Sequence, residues 1–145
     1  MIQVRFPEPD FKIKTEGDKR VIFDSIRRAW LLLTPEEWVR QNFVAYLVKE
    51  LGFSSSFIAL EKEILLNGLK KRFDILVYDK DHNPWMMIEC KAPGVKLGED
   101  VLQQVLRYNI TLPVKYLIIT NGEVTVGWQK EGSGLKMLEA MPGSE

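Results

Sequence analysis

The feature that most constrains the fold is the apolar run at residues 85–88, WMMI, which continues directly into Glu89-Cys90-Lys91. A strand that is apolar at nearly every position is typical of the centre of a sheet covered on both faces. Because side chains alternate along a strand, Ile88 and Cys90 point to one face while Glu89 and Lys91 point to the other. The run therefore predicts a central strand that ends in a carboxylate and an ammonium on one face.

Charged groups at the end of a buried strand need a partner, because burying an unpaired charge is costly. They require mutual pairing, a metal or a solvent-filled cleft. Asp74 opens the apolar part of the preceding predicted strand, so it converges with Glu89 if the two strands are neighbours. Two carboxylates suit Mg²⁺, which prefers oxygen ligands and keeps several waters. The alternative is an internal salt-bridge network that sets the register of the strands.

The order of the predicted elements indicates an α/β domain. A length of 145 residues with 46% hydrophobic content suits a single domain spanning 1–145. A helix, three strands, a second helix and two strands can form one mixed central sheet flanked by helices. The predicted strands are 57–66, 71–78, 85–91, 115–120 and 124–129, and the predicted second helix is 99–109. The core covers about 34–130, after an N-terminal hairpin or arm at 1–33 and before a weakly patterned tail at 131–145.

Cap and turn residues define several of these boundaries. Thr34-Pro35-Glu36-Glu37 combines an N-cap threonine, a proline at the first helical position and a glutamate at the third. Gly52 lies where a left-handed glycine would end that helix. Asn67-Gly68 and Asn121-Gly122 each predict a tight turn between two strands.

The composition excludes several classes of protein. One cysteine forms no intramolecular disulfide, and with one histidine it cannot supply the usual zinc ligands. No apolar stretch suits a secretion signal or a bilayer span, so we expect a cytoplasmic protein that does not enter membranes. The net charge is zero, so any contact with nucleic acid requires a local patch. Lys70-Lys71-Arg72 is either such a patch or an ordinary exposed strand start.

The spacing of the charged residues resembles a known signature. Asp74, fourteen intervening residues and Glu89-Cys90-Lys91 are similar to the D…(D/E)-x-K motif of the PD-(D/E)XK, or restriction-endonuclease-like, superfamily. Phe73 replaces the proline of that name, as in many members. The segments KRFDI, IECKAP, QVLRY and TNG resemble the amino-terminal nuclease domain of type I restriction-enzyme motor subunits. The resemblance spans roughly 34–128 and implies a restriction-endonuclease-like αβββαβ core.

The resemblance also implies roles for the site residues. Asp74 and Glu89 would hold Mg²⁺ or Mn²⁺, and Lys91 would lie beside the attacking water. Gln104 and Tyr108 match a Gln-x-x-x-Tyr motif that supports the cleft, and residues four apart share a helix face. The alternative for this pair is a polar helix face toward solvent.

A first-helix glutamate often completes the site in this superfamily, and Glu37 is the nearest match. Its alternative role is that of a capping-box glutamate, because it occupies the third helical position after Thr34.

The function implied is Mg²⁺-dependent hydrolysis of DNA phosphodiester bonds in restriction or DNA defence. Type I motor subunits join this domain to a DNA-translocating ATPase, whereas this sequence has no Gly-x-x-x-x-Gly-Lys loop. We therefore expect either a chain that acts alone or a translocase or other restriction subunits acting in trans, and the resemblance also allows a homodimer. The alternative is a catalytically silent nuclease fold that serves as a DNA-binding or assembly module.

Overall fold

The computed structural model describes residues 1–66, 68–109 and 113–143, apart from the side chains of Leu66, Tyr108 and Asn109. A three-stranded antiparallel sheet comprises β1 (Ile13–Glu16), β2 (Lys19–Asp24) and β3 (Ala29–Leu32). A six-stranded sheet has the order β4 (Ile58–Leu66), β5 (Leu69–Tyr78), β6 (Pro84–Cys90), β7 (Tyr116–Thr120), β8 (Thr125–Glu131) and β9 (Gly134–Met137). The helices are α1 (Pro35–Lys49) and α2 (Glu99–Asn109), with a short 3-10 helix at Ser55–Phe57.

The larger sheet is mixed, which confirms the predicted α/β class. Strand β6 pairs with β5 antiparallel and with β7 parallel, while the other neighbouring strands are antiparallel. Alternate residues of β6 enter two cores. Ile88 and Cys90 join the core that contains α1, whereas Met87 joins the core against which α2 packs. The predicted central strand is therefore buried from both sides.

Helix α1 begins and ends at the residues that its sequence indicates. Thr34 is the N-cap, and its Oγ1 accepts a hydrogen bond of 3.0 Å from the Glu37 N–H. Beyond the last turn, Gly52 has a φ of 77°, a left-handed conformation that glycine adopts without strain. The next residue, Phe53, donates its N–H to the Leu47 carbonyl at 2.9 Å and directs the chain back toward the core.

The two ends of the chain contain structure that the sequence patterns describe only partly. The predicted N-terminal hairpin is a three-stranded sheet, and it follows an extended segment whose Ile2 is buried in the α1 core. Strand β9 lies in the tail, for which no element was predicted, and its residues are mostly exposed. An exposed strand of four residues has no apolar alternation to detect. Neither helix in the described part of the chain is long and apolar enough to cross a membrane.

The β4–β5 hairpin extends past the rest of its sheet. The two strands pair from Ile58 with Val77 to Leu66 with Leu69, and Gly68 at the turn has a φ of 79°. Asn67 of the predicted turn lies outside the described residues. Strand β6 pairs with β5 only from Ile75 to Tyr78. The site described next lies where β5 loses its β6 partner.

Candidate active site

Asp74 and Glu89 lie opposite each other on neighbouring central strands. Ile75 pairs with Ile88 across β5 and β6, and Asp74 and Glu89 occupy the next position on each strand. The backbone and the carboxylate of Asp74 both lie close enough to the Glu89 carboxyl group to shift its pKa. Strand pairing therefore brings together two carboxyl groups that are fifteen positions apart in the sequence.

The surroundings of Glu89 favour its neutral form. Burial raises the pKa of its carboxyl group to about 8, and the negative charge of Asp74 acts in the same direction. Lys91 opposes this shift. A carboxyl group held neutral by burial and by a second carboxylate would ionise if a cation bound between them, because an opposite charge stabilises the ionised form.

Both oxygens of Asp74 already have donors from the protein. Its Oδ2 accepts a 2.8 Å hydrogen bond from the Cys90 N–H, which ties β5 to the end of β6. Its Oδ1 accepts from Nη2 of Arg40, on α1, at 3.0 Å. These two contacts fix the orientation of the Asp74 carboxylate.

Arg40 is the centre of the charge network beside Asp74. Its side chain is buried, and it forms ion pairs with four carboxylates, those of Glu37 at 2.6 Å, Glu61 at 2.6 Å, Asp74 at 3.0 Å and Glu36 at 3.5 Å. Burial lowers the pKa of the guanidinium, but the charges of Glu37, Asp74 and Glu61 outweigh burial and raise the pKa above the ordinary value. Its Nε is buried with no hydrogen-bond partner among the described residues. Arg40 is therefore a buried permanent cation, and no local sequence pattern marks it as part of the site.

The Glu37 carboxylate binds cations instead of completing the helix cap. Its Oε1 accepts from Arg40, and its Oε2 accepts from Arg27 at 2.8 Å and from Gln41 at 3.0 Å. The Thr34 N–H, which a capping-box glutamate would bind, donates to the Leu32 carbonyl. Both oxygens of Glu37 thus have structural partners, and its catalytic role stays a prediction.

The neighbouring Glu36, also on α1, interacts electrostatically with the carboxyl groups of Asp74 and Glu89. Burial raises its pKa, and so does the negative charge of Asp74, while Arg40 and Lys91 oppose the rise. Its side chain is 47% exposed, so it also meets solvent. Glu36 and Glu37 are adjacent in the sequence at the same helix start, and packing gives them different surroundings. Glu37 is buried, whereas Glu36 meets both solvent and the negative charge of Asp74.

Glu61 is another carboxylate of the charge network around Arg40. It lies within β4 at a φ of 53°, a conformation that residues other than glycine adopt at a cost. Its two oxygens pair with different arginines, Oε1 with Arg40 and Oε2 with Nε of Arg72 at 2.8 Å. In the sequence Glu61 looks like an ordinary polar position of a half-buried strand.

Lys91 has no close ion pair in the part of the chain that the structure describes. Its charge nevertheless lowers the pKa of both Glu89 and Glu36, so it lies near these carboxyl groups. Its backbone N–H donates to the Thr120 carbonyl at 2.8 Å and holds the chain against β7. The ion pairs observed beside Asp74 are therefore made by Arg40, and the half-buried ammonium of Lys91 remains available to a ligand.

The structure places Gln104 on an exposed face of α2. It lines an open surface depression with other polar residues of the same helix, namely Asp100, Gln103 and Arg107. Asp74, Glu89 and Lys91 do not line this depression. The side chain of Tyr108 lies outside the described residues. The expected contribution of Gln104 and Tyr108 to the cleft stays a prediction.

The acidic residues suit a divalent cation in chemistry but are not assembled around one. Among the described residues, no three histidine, cysteine, aspartate or glutamate side chains are arranged to hold a metal ion. Asp74 and Glu89 offer the oxygen ligands that Mg²⁺ and Mn²⁺ accept, with Glu36 near them. For Asp74 to bind through Oδ1, its contact with Arg40 would have to open. The residues fit the ion once Arg40 leaves Oδ1 of Asp74 and Glu89 loses its proton.

The fold defines the class of this protein. A mixed sheet flanked by helices, with an Asp and a Glu-x-Lys on adjacent central strands, is compatible with a restriction-endonuclease-like domain. The family model for the type I restriction enzyme R protein N terminus matches residues 35–142, and the chain belongs to this family. The predicted family is thus confirmed, and it implies a restriction-related function. A search of curated proteins gave no match.

Proposed function

We propose that this domain is a nuclease that hydrolyses DNA phosphodiester bonds with Mg²⁺ or Mn²⁺, as part of restriction in the cytoplasm. The observation that carries the proposal is the position of Asp74 opposite Glu89, with Lys91 directly after the end of the strand that carries Glu89. Family membership supports a restriction-related role, and the carboxyl pair supports the chemistry.

Each of the three residues has a role that follows from its chemistry. The cation, when bound, would lower the pKa of a water and neutralise charge on the phosphate. Asp74 and Glu89 would bind it, with the Cys90 N–H keeping Asp74 in place. Lys91 would orient the attacking water or stabilise negative charge on the phosphate. Gln104 and Tyr108 would support the substrate from α2.

A second candidate is a silent nuclease fold that binds DNA or assembles with other subunits. The contact between Arg40 and Asp74 favours this alternative, because the guanidinium already neutralises one of the two proposed ligands. In either case the partners would be DNA and a translocase or other restriction subunits acting in trans, or a second copy of the chain.

Cleavage of supercoiled plasmid DNA tests the nuclease proposal. We expect nicking that requires Mg²⁺ or Mn²⁺ and that is lost in Glu89→Gln and Lys91→Ala. Glu99→Gln and Lys136→Ala make the same chemical changes at exposed positions and should retain the activity. Circular dichroism melting would show that all four variants are folded.

Metal-dependent stability separates the two candidates. A cation that binds only the folded protein raises its melting temperature. We expect Mn²⁺ to raise the melting temperature of the wild type but not that of Glu89→Gln. If the wild type neither cuts DNA nor responds to the metal, the silent module replaces the nuclease.

A further inference from the structure

The outer part of the β4–β5 hairpin is a two-stranded ribbon. This ribbon comprises residues 62–66 and 69–73, which pair with each other but have no partner on β6. At about 3.4 Å per residue, five residues of each strand span about 17 Å. The ribbon thus projects from the sheet edge, and its base is Asp74 of the proposed site.

The ribbon carries net positive charge in a chain whose net charge is zero. It carries four cations, Lys62, Lys70, Lys71 and Arg72, and one anion, Glu63, so its net charge is +3. The Glu63–Lys70 contact measures 3.7 Å between exposed side chains, and such a pair contributes little. A polyanion that binds this positive charge would lie next to the proposed site at the base of the ribbon.

The cations lie on both faces of the ribbon. Lys70 is paired with Leu65 and Arg72 with Glu63, and these side chains share one face. Lys71 is paired with Ile64 and lies on the other face, as does Lys62. On this second face Phe73 is buried in the core against which α2 packs and Ile64 is partly buried against it, but Lys62 is exposed. Exposed lysines therefore lie on both faces of the ribbon.

The end of the ribbon exposes apolar side chains. Leu65 is 67% exposed and Leu69 is 64% exposed, next to the turn. Leu65 and Leu69 can therefore contact a partly apolar surface while the neighbouring lysines contact anions. Base edges in a DNA groove, including thymine methyl groups, offer such a surface between two rows of phosphates.

We propose that the β4–β5 ribbon inserts into the major groove of duplex DNA and positions the duplex at Asp74 and Glu89. The major groove of B-DNA is about 12 Å wide and about 8.5 Å deep, and it admits a two-stranded β-ribbon. Lys62 and Lys70, on opposite faces, contact the phosphates of the two strands. The inference rests on the proposal that DNA is the substrate and makes duplex DNA its form.

The geometry disfavours duplex RNA and single strands as partners of the ribbon. The major groove of duplex RNA is deep and too narrow for protein side chains to read. A single strand has only one row of phosphates, so it would use the cations of one face. A duplex is the ligand that uses both faces.

Fluorescence anisotropy with labelled oligonucleotides in EDTA tests the ribbon without cleavage. We expect the wild type to bind a DNA duplex more tightly than the matching single strand or RNA duplex. In the double variant Lys62→Ala/Lys70→Ala, the slope of log affinity against log salt should fall by about 2, because each phosphate contact contributes about 0.9. Duplex affinity should fall about tenfold or more at moderate salt. The control Lys19→Ala/Lys136→Ala removes the same charge at exposed positions outside the ribbon.

The two proposals fail in different ways. Equal duplex affinity and equal salt slope in the ribbon and control variants would overturn the ribbon proposal, as would preferential binding of single strands or RNA duplex by the wild type. Absence of plasmid cleavage, with ribbon-dependent duplex binding intact, would overturn only the nuclease. The melting temperatures of both double variants would show that altered binding does not come from unfolding.

Discussion

Replacing Glu89 with glutamine tests whether its carboxyl group is neutral in the folded protein. The folded pKa is about 8, above the ordinary value of 4.5, because of burial and the charge of Asp74. Between these two pH values the unfolded chain has lost the Glu89 proton, whereas the folded chain retains it. The free energy of unfolding of the wild type should therefore fall as pH rises through this range. Glutamine keeps a neutral group of the same shape and removes the titration.

The size of the effect follows from the shift. One retained proton corresponds to a slope of about 1.4 kcal/mol per pH unit, and the full shift corresponds to roughly 5 kcal/mol. Relative to the wild type, Glu89→Gln should therefore gain stability steadily from about pH 5 to about pH 7.5. Above the folded pKa the gain should level off.

Urea unfolding at a series of pH values, followed by circular dichroism, measures this difference directly. Subtracting the wild-type curve from the variant curve cancels the titration of all other groups, provided that the slopes with urea agree. Glu99→Gln, at an exposed position of α2, should give a curve parallel to the wild type. A constant difference between Glu89→Gln and the wild type over this range would refute the inferred protonation of Glu89.

Three further substitutions test the charge network of Arg40, the cap of α1 and the close packing at Gly127. Arg40→Met should lower the free energy of unfolding by about 3–5 kcal/mol at neutral pH, because it leaves buried carboxylates unpaired. The loss should be smaller at acidic pH, where the carboxylates are protonated, and an equal loss at both pH values would contradict the charge network. Thr34→Ala should cost about 1 kcal/mol and Thr34→Ser only a few tenths in urea unfolding, and equal losses would argue against the cap. A Cβ at Gly127 would lie 2.5 Å from Cδ1 of the buried Ile118, so Gly127→Ala should cost about 1–3 kcal/mol; an unchanged melting temperature would show that the core relaxes freely.

Family membership and the position of Asp74 opposite Glu89 support different parts of the interpretation. The match over residues 35–142 establishes the restriction context. The carboxyl pair, together with Lys91, supports a metal-dependent reaction, and the Arg40 contact identifies what has to move for Asp74 to bind a cation. A structure with Mn²⁺ would show whether Arg40 leaves Asp74 Oδ1 when the ion binds.

Patterns that act over a few residues allowed most of the fold to be predicted. The apolar run ending in Glu89-Cys90-Lys91 predicted a central strand with alternating faces, and β6 has this arrangement. The cap at Thr34 and the amphipathic pattern of α2 gave helix bounds that agree with the structure. These signals are reliable because capping and side-chain alternation depend on near neighbours in the chain.

The tertiary structure alone decided which charged residues meet beside Asp74. Arg40 lies 34 positions before Asp74, and no local pattern links them. Helix packing also places Glu37 against Arg40 and Glu36 within reach of the charge of Asp74, and Glu61 reaches Arg40 from β4. A buried charge pairs with the opposite charges that the packed elements bring next to it. The partners of Arg40 are therefore set by the arrangement of α1, β4 and β5. The sequence by itself determined the strands and the residues they carry, and the packing of those elements determined the environment in which the residues act.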